Sequence, residues 1–501
     1  MKYHLTWDTA VLVAATAFTR WIFRSRYLYD VDSVNFALAM ARFDPSVHQP
    51  HPPGYFLYVY LGRLVDLLFH DANTALVAMS IAFSCGAVAT IYILAGNWFG
   101  RNAALFAGLI FVFSPLAWFH GIVALTYIVE TFFSALTGYL CWRIRCGAAR
   151  LLLPCAVVVG VAAGFRPSSL LLLGPLLLFS LSKVSFRQAA AGIAALIVIL
   201  LAWFLPMAQI SGGHAYFSSL LSLWLTVPSR GTMFNSTALN SIARAGVTVA
   251  AYFLFFGCAA ILPLKTPGHP SSNRPEITFT LVWIAPGLLF FTFVYLKFVN
   301  MGYLLALSPP LCAWMGLRVS TWFAGLRLSK PLRALTFAGC AAANTAIFVF
   351  APVYCSYVSV RRFERELETV IRVLPQIAPP RDTLIIGFDS HFLGYRHAGY
   401  YLPGYLTVQF PEVQLLSGGR IFTMKGRNTS LQSGIDIAAV HRFILFPLPS
   451  GAAEYSDYTA TVQKRFPAGE LRAIVKGGHE FAIGSASDLG FLFPHFTPLR
   501  Q

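Results

Sequence analysis

Two short stretches near the start of the chain carry residues that could do chemistry. The first is Tyr29-Asp30-Val31-Asp32-Ser33, and the second is His51-Pro52-Pro53-Gly54-Tyr55. A carboxylate can act as a general base near neutral pH, and an Asp-x-Asp pair can also bind a divalent cation. A protonated histidine can donate a hydrogen bond to an anion. The pattern therefore indicates acid–base chemistry or anion binding between residues 29 and 55.

Acidic residues are scarce in the first 355 positions, so an acidic pair there needs a reason. The eight are Asp8, Asp30, Asp32, Asp44, Asp66, Asp71, Glu130 and Glu276. A charged side chain at the centre of a bilayer costs about 2.5–3.5 kcal/mol on insertion scales. Two of these carboxylates follow directly on an apolar segment, at the predicted edge of a membrane. We expect this loop to be an active site that faces away from the cytoplasm.

The composition is that of a polytopic membrane protein. Hydrophobic residues make up 57% of the 501 residues and charged residues 11%, whereas soluble proteins carry about 25% charged residues. Lys and Arg mark cytoplasmic loops, so the net charge of +17 does not indicate nucleic-acid binding. Apolar segments predict about eleven spans, at about residues 9–28, 74–98, 102–119, 123–142, 150–165, 167–182, 188–209, 241–264, 277–296, 299–318 and 333–355.

The distribution of basic residues predicts a cytoplasmic N-terminus and an extracytoplasmic C-terminal domain in an inner or plasma membrane. Residues 1–355 form the expected transmembrane domain, and residues 29–73 its first external loop, with interfacial amphipathic helices at 33–43 and 55–69. If residues 55–69 crossed the membrane instead, every later loop would be inverted. Residues 356–501 alternate short apolar runs with turn residues, which predicts a small soluble α/β domain.

The order of these features resembles the GT-C superfamily of membrane glycosyltransferases, in particular the protein O-mannosyltransferase and aminoarabinose-transferase group. The acidic loop and the His-Pro-Pro-Gly-Tyr turn lie between a first span and the remaining spans, as in that group. Further similar stretches are Phe99-Gly100-Arg101-Asn102, Ser114-Pro115-Leu116, Gly164-Phe165-Arg166-Pro167 and Gly302-Tyr303-Leu304-Leu305. The resemblance covers residues 1–355 and implies a mainly α-helical transmembrane bundle.

The same resemblance implies an inverting transferase that takes a sugar from a polyprenyl-phosphate donor. The acceptor would be a lipid, a polysaccharide or a protein on the outer face, and neither a cofactor nor a metal ion is implied. Asp32 aligns with the family's catalytic aspartate, although Ser33 stands where a glutamate is common. Asp30 is the alternative base, or the N-cap of the following helix.

Several residues are expected to bind the donor. His51 lies where aminoarabinose transferases carry a lysine close to the lipid phosphate, and the alternative is a turn histidine bonded to backbone. Outward-side basic residues are further phosphate candidates, chiefly Arg166, Lys297 and Arg230, with Arg20 and Arg24. The substrate pocket is expected to include Tyr55, Glu130 and Tyr303. Glu130 could instead form a structural ion pair with an outward-side arginine.

Two other classes of protein fit some of these features. A transporter or flippase of lipid-linked or envelope precursors also has many spans and a few buried charges. It predicts paired half-repeats and charges near the middle of the membrane, whereas this chain has no internal repeat and its acidic pair lies in a loop. A non-catalytic assembly protein predicts that Asp32 is dispensable.

Overall fold

The contacts in the computed structural model divide the chain into two compact units. The helical unit contains Met1–Ser25 and Pro52–Val360, and the sheet unit contains Arg26–His51 and Arg361–Gln501. Nothing in the sequence indicated that residues 26–51 pack with the C-terminal part. The residues that the structure describes are 6–45, 48–214, 216–218, 220–221, 237–261, 275–295, 298–325, 329–388, 390–410, 414–417, 420–423, 440–446, 472–476 and 479–485.

In the described residues, the helical unit consists mainly of α-helices. They are α1 (Trp7–Phe23), α3 (Phe56–Phe69), α4 (Ala72–Phe99), α5 (Arg101–Val112), α6 (Pro115–His120), α7 (Tyr127–Arg145), α8 (Leu152–Phe165), α9 (Ser168–Leu181), α10 (Phe186–Ile210), α11 (Ala238–Phe256), α12 (Pro275–Phe290), α13 (Ser308–Gly325) and α14 (Lys330–Phe350). A tighter helical segment, Phe298–Leu307, leads into α13.

Apolar length identifies this unit as membrane-embedded. Within the described residues, five helical segments are long and apolar enough to cross a bilayer: Ala72–Phe99, Phe186–Ile210, Ala238–Ile261, Pro275–Val294 and Pro331–Phe350. Shorter apolar helices accompany them, among them Arg101–Val112 and Ser168–Leu181. The protein is therefore a multi-pass membrane protein, while the count of about eleven spans stays a prediction.

Helix α4 forms the centre of the unit, because most of its residues are buried and it packs against α1, α5, α7 and α13. Close helix contacts in such bundles need small residues. Gly316 of α13 shows this against α5, where an added Cβ would lie 2.3 Å from the carbonyl oxygen of Ala103. By contrast, large apolar side chains on the outer helices, such as Leu335 and Phe350 of α14, are exposed, as expected of a surface that faces lipid.

The described strands of the sheet unit are β1 (Thr383–Phe388), β2 (Leu406–Phe410), β3 (Gln414–Ser417), β4 (Arg420–Thr423), β5 (Arg442–Leu445), β6 (Arg472–Lys476) and β7 (His479–Ser485). They form one sheet with the order β4-β3-β2-β1-β5-β7-β6. Strand β1 pairs in parallel with β2 and β5, and the outer pairs are antiparallel. Consecutive buried residues in β1, Leu384 to Ile386, are typical of a central parallel strand covered on both faces.

Among the described residues of the sheet unit are three α-helices: α2 (Val31–Ala41), α15 (Tyr357–Ile377, which enters the unit at residue 361) and α16 (Tyr395–Tyr401). Helix α16 connects β1 to β2 and contacts α2. This architecture confirms the predicted small α/β domain. The two predicted amphipathic segments are also helical, as α2 and α3, and their placement at a membrane interface stays a prediction.

Candidate functional site

Asp30 caps the N-terminus of α2. Its backbone is extended (φ −107°, ψ 155°), and its side chain accepts a hydrogen bond of 2.9 Å from the backbone N–H of Asp32. Aspartate is a preferred N-cap because its oxygen satisfies an amide that has no partner within the helix. The alternative that Asp30 is a helix cap is therefore what the structure shows. An oxygen of Asp30 also lies 3.9 Å from Nδ1 of His391.

Asp32, in the first turn of α2, pairs with His51. Its Oδ1 lies 3.1 Å from Nδ1 of His51, and the side chains are 32% and 23% exposed. The chain returns to α2 through a turn in which the backbones of Asp44 and Gln49 bond to each other in both directions. The ring of Phe36, one helical turn after Asp32, packs against the histidine at 5.9 Å. The result is a partly exposed carboxylate–imidazole pair within the sheet unit.

In the helical unit, the residues that follow His51 form a tight turn. Gly54 has φ +116°, and an added Cβ there would lie 2.7 Å from the sulfur of Met207. The carbonyl of Pro53 accepts a hydrogen bond of 3.0 Å from the hydroxyl of Tyr216. Tyr55 then takes a left-handed conformation (φ +46°) and starts α3. Glycine suits position 54, because it adopts a positive φ without strain and has no Cβ to meet Met207. The turn leads directly to Tyr55, whose ring is buried.

Arg166 lies at the turn between α8 and α9. A residue before proline is disfavoured from the helical region, and Arg166 before Pro167 is extended (φ −152°, ψ 105°), which ends α8. The guanidinium carbon lies 4.4 Å from the ring centroids of Tyr127 and Tyr303, and 5.9 Å from that of Tyr55. Aromatic faces attract a cation at these distances. We call Arg166, Glu130 and the three tyrosines the arginine cluster.

Glu130 supplies the counter-charge of the arginine cluster. Its Oε2 lies 3.0 Å from Nε of Arg166, and the two side chains are 1% and 4% exposed. The hydroxyls of Ser168 and Ser169 donate to Oε1 at 2.9 and 3.0 Å. Nη1 of Arg166 donates to the hydroxyl of Thr126. The predicted residues Arg166, Tyr55, Glu130 and Tyr303 thus come together, with the ion pair that the sequence offered as one alternative for Glu130.

Other basic residues named from the sequence do not join this cluster. Arg20 is buried in the helical unit, where it donates to the carbonyls of Val112 and Phe111 at the C-terminal end of α5. The guanidinium of Arg24 stacks on Trp21 and donates to its carbonyl. Both are accounted for by structural contacts. Lys297 and Arg230 lie outside the described residues.

His120 lies next to the arginine cluster and was not identified as a site residue from the sequence. It is 1% exposed, and its ring packs edge-on against Tyr127 with the centroids 4.9 Å apart. In the described part of the chain, neither ring nitrogen has a hydrogen-bond partner. Gly302 makes room for it, because an added Cβ would lie 2.7 Å from Nε2 of His120. The glycine before Tyr303 was the one available signal of this close approach.

No group of three or more His, Cys, Asp or Glu residues is placed to hold a metal ion in the part of the chain that the structure describes. Asp30 and Asp32 turn to different partners, an amide and a histidine. The Asp-x-Asp pattern therefore forms a helix cap and a carboxylate–imidazole pair.

Comparisons with known proteins show which proteins this chain is similar to. The family model of the protein O-mannosyl-transferase TMEM260 N-terminal domain matches residues 32–189. The crystal structure of ArnT from Cupriavidus metallidurans in the apo state is similar with a TM-score of 0.57 and 12% identity, over 98% of both chains. ArnT bound to undecaprenyl phosphate gives 0.54 and 13%, over 95% of this chain and 97% of that chain. No curated protein matches the chain by sequence. The likeness to ArnT shows that the chain has the fold that the GT-C resemblance predicted.

Proposed function

Because this chain has the GT-C fold, we propose that it is an integral-membrane glycosyltransferase. It moves a sugar from a polyprenyl-phosphate donor to an extracytoplasmic lipid, polysaccharide or protein. The observation that carries the proposal is the partly exposed Asp32 paired with His51, at the first residue of the segment that matches the O-mannosyl-transferase model. The ArnT structure with undecaprenyl phosphate supports the class of donor.

The reaction assigns a specific task to Asp32. An acceptor hydroxyl or amine attacks the anomeric carbon, while the bond between that carbon and the phosphate oxygen breaks. The polyprenyl phosphate leaves with the electron pair, and the proton of the acceptor passes to the carboxylate of Asp32. Attack from the face opposite the leaving phosphate inverts the anomeric configuration. A positioned general base of this kind contributes about 10²- to 10⁴-fold to a rate.

His51 has two candidate roles in this scheme. Its Nδ1 lies 3.1 Å from an oxygen of Asp32, so it can orient the carboxylate for proton transfer. The alternative is the donor phosphate contact predicted from the sequence. The variant His51→Asn separates them: a lower kcat with an unchanged KM for the donor supports the first role, and a higher KM supports the second.

We assign the arginine cluster to the donor. A permanently charged guanidinium suits a charge-assisted contact to a phosphate. Glu130, which already faces Nε of Arg166, fixes the guanidinium. Tyr55 and Tyr303 flank the same group and are the proposed pocket residues. Lys297 and Arg230 stay predicted phosphate contacts.

The proposed location is the inner or plasma membrane, with a cytoplasmic N-terminus and residues 356–501 outside the cytoplasm. An alkaline phosphatase reporter fused after Gln501 tests it, because this enzyme is active only when exported. An inactive fusion, with an active fluorescent reporter at the same place, would show a cytoplasmic C-terminus and refute the outward-facing site.

The decisive experiment is Asp32→Asn in purified protein reconstituted in liposomes. The probes are undecaprenyl-phosphate mannose and undecaprenyl-phosphate aminoarabinose, with delipidated cell envelope as the acceptor. We expect the wild type to release undecaprenyl phosphate from one of them, and the variant to do so about 10²-fold more slowly or worse. The matched control is Asp44→Asn, since Asp44 is another carboxylate of the sheet unit and contacts Arg42 at 3.1 Å.

Two results would overturn the proposal. Normal transfer by a folded Asp32→Asn protein would show that this carboxylate is not the base. Movement of either intact lipid across the liposome membrane by the wild type, without loss of its sugar, would favour the transporter alternative.

A further inference from the structure

The loop that leads to Asp32 is held by side chains that lie more than 300 positions later in the sequence. We call residues 26–31 the carboxylate loop. The backbone N–H of Arg26 donates to Oε1 of Glu364 at 2.6 Å, and that of Leu28 donates to the hydroxyl of Tyr401 at 2.8 Å. The carbonyl of Leu28 faces Nε2 of His397 at 3.1 Å. All of these residues belong to the sheet unit.

His397 connects the carboxylate loop to α16 with both ring nitrogens. Its Nδ1 accepts a hydrogen bond of 3.3 Å from the backbone N–H of Gly394, so the proton of the neutral ring is on Nε2. That proton is then donated to the carbonyl of Leu28. The ring is fully buried and packs edge-on against Phe363 at 5.3 Å. Nδ1 therefore bonds within the C-terminal region, to Gly394, and Nε2 bonds to the carboxylate loop, at Leu28.

Further contacts hold the last residues of the loop. The ring of Tyr29 lies between those of Phe363 and Phe392, with centroid distances of 5.2 and 4.8 Å. The backbone N–H of Val31, the residue before Asp32, donates to the carbonyl of His391 at 2.8 Å. The loop is thus held up to the first residue of α2. A rigid support of this kind is what a catalytic carboxylate needs, because a misplacement of about 1 Å can cost about 10²-fold in rate.

We propose that the C-terminal part of the sheet unit positions Asp32 for proton transfer by fixing the backbone of the carboxylate loop, with His397 and Tyr401 as positioning residues. The inference rests on the proposed function, in which Asp32 accepts the proton of the acceptor. It adds a task for residues 361–501 that is separate from binding a substrate. Neither positioning residue contacts the reacting atoms, so both act through Leu28.

A pair of tyrosines provides the first test. Tyr401→Phe removes the hydroxyl that accepts from Leu28 and keeps the ring that packs against Tyr27. Tyr405→Phe is the matched control, because the hydroxyl of Tyr405 donates to the carbonyl of Ala378, a bond of 2.7 Å within the C-terminal region. Both variants lose one tyrosine hydroxyl from the same unit, but only one of them loses a contact to the loop.

His397 provides a second pair of variants. The side-chain oxygen of asparagine overlies Nδ1 of histidine, so His397→Asn keeps the acceptor for Gly394 and loses the donor to Leu28. The side-chain nitrogen of glutamine overlies Nε2, so His397→Gln keeps the donor. If the donor positions the loop, glutamine restores most of the activity that asparagine loses. A purely structural role of the buried ring predicts similar losses for both variants.

Hydrogen exchange measures the loop directly, without any assumption about activity. Purified full-length protein is exchanged in D₂O, and the peptide that contains residues 26–31 is followed by mass spectrometry. We expect exchange about five- to tenfold faster in Tyr401→Phe and His397→Asn than in Tyr405→Phe, since one hydrogen bond is lost. In the transfer assay with undecaprenyl-phosphate mannose or aminoarabinose, kcat falls on the order of tenfold in the same two variants, and the donor KM is unchanged.

The outcomes separate the two proposals. If Asp32→Asn transfers sugar normally, the proposed role of Asp32 fails, and the positioning role fails with it. If Asp32→Asn is inactive but Tyr401→Phe and His397→Asn match Tyr405→Phe in exchange and in kcat, the positioning inference fails alone. Faster exchange with unchanged kcat also refutes it, because the loop would then be loosened without effect on proton transfer.

Discussion

The variant Glu130→Gln tests whether the arginine cluster is the desolvated ion pair that its geometry indicates. Glutamine keeps the size of the side chain and an oxygen that can accept from Ser168 and Ser169, so the change removes the charge alone. Arg166 would then be a buried cation without its carboxylate, since the side chains of the pair are 4% and 1% exposed. Removing one partner of a buried pair costs about 3–5 kcal/mol.

The surroundings of Arg166 determine where in this range the loss of stability in Glu130→Gln should fall. The rings of Tyr127 and Tyr303, both 4.4 Å from the guanidinium, remain in the variant. A desolvated cation–π contact contributes about 2 kcal/mol. The tyrosines therefore continue to stabilise the cation, and we expect the lower end of the range, about 3 kcal/mol.

A second ion pair in the same unit provides the control. Asp8 contacts Nε and Nη2 of Arg101 at 2.7 and 2.9 Å, but the Arg101 side chain is 65% exposed. Exposed pairs contribute about 0–1 kcal/mol, because water screens both charges. Asp8→Asn should therefore destabilise the protein by about 1 kcal/mol or less, despite geometry at least as good as that of the buried pair.

The assay is unfolding of the purified protein in detergent micelles, followed by tryptophan fluorescence against denaturant and against temperature. The double variant Glu130→Gln/Arg166→Gln removes both charges and should be more stable than Glu130→Gln alone, since no buried charge is left uncompensated. If Glu130→Gln loses no more stability than Asp8→Asn, or if the double variant is the less stable one, the pair is not desolvated. The inference that the Glu130–Arg166 pair is shielded from water would then be wrong.

Three further predictions follow from single residues. Gly302→Ala should destabilise the protein by about 1–3 kcal/mol and raise the donor KM, because its Cβ would lie 2.6 Å from atoms of His120 and Tyr127; unfolding midpoints and donor titration check it. Burial lowers the pKa of His397 from 6.5 to about 4, so its contribution to stability, about 3 kcal/mol, is complete above pH 6.5 and is lost as pH falls toward 4. His397→Gln should remove that part of the acid sensitivity in unfolding measured between pH 4 and 7. Arg166→Lys keeps the charge but not the planar fork, so the donor KM should rise about tenfold with kcat nearly unchanged; an unchanged KM would argue against phosphate binding there.

The arginine cluster brings together residues that were named from the sequence, and part of this has a physical reason. A chain with few acidic residues gives each buried carboxylate a short list of possible partners. Glu130 lies in an apolar helix, and Arg166 lies before a proline that ends another helix. The cost of an isolated buried charge indicated an outward-side arginine as one alternative partner of Glu130, but it did not single out Arg166. Thr126, Ser168 and Ser169 were not foreseen, because hydroxyl residues are common in such helices and only their positions reveal a role.

The support of the carboxylate loop could not be predicted, because its contacts are made to backbone groups. An amide of Leu28 or Val31 has no sequence signature, and its partners lie more than 300 positions away. His397 is preceded and followed by residues typical of a soluble turn, which gave no sign of its burial. The fold class was predictable from apolar length and strand pattern. The packing of residues 26–51 within the sheet unit was not, because it depends on these long-range contacts.

The contacts at the start of α2 also indicate whether the proposed reaction uses one or both carboxylates of the Asp-x-Asp pattern. The cap made by Asp30 uses the backbone amide of Asp32, so it leaves the Asp32 side chain to His51. Asparagine caps a helix about as well as aspartate. Asp30→Asn should therefore keep both stability and transfer, whereas Asp30→Ala should lose about 1 kcal/mol of stability. Unfolding and transfer by the two variants test this. A large loss of kcat in a stable Asp30→Asn protein would mean that the charge of Asp30 takes part in the reaction, and that the two carboxylates act together.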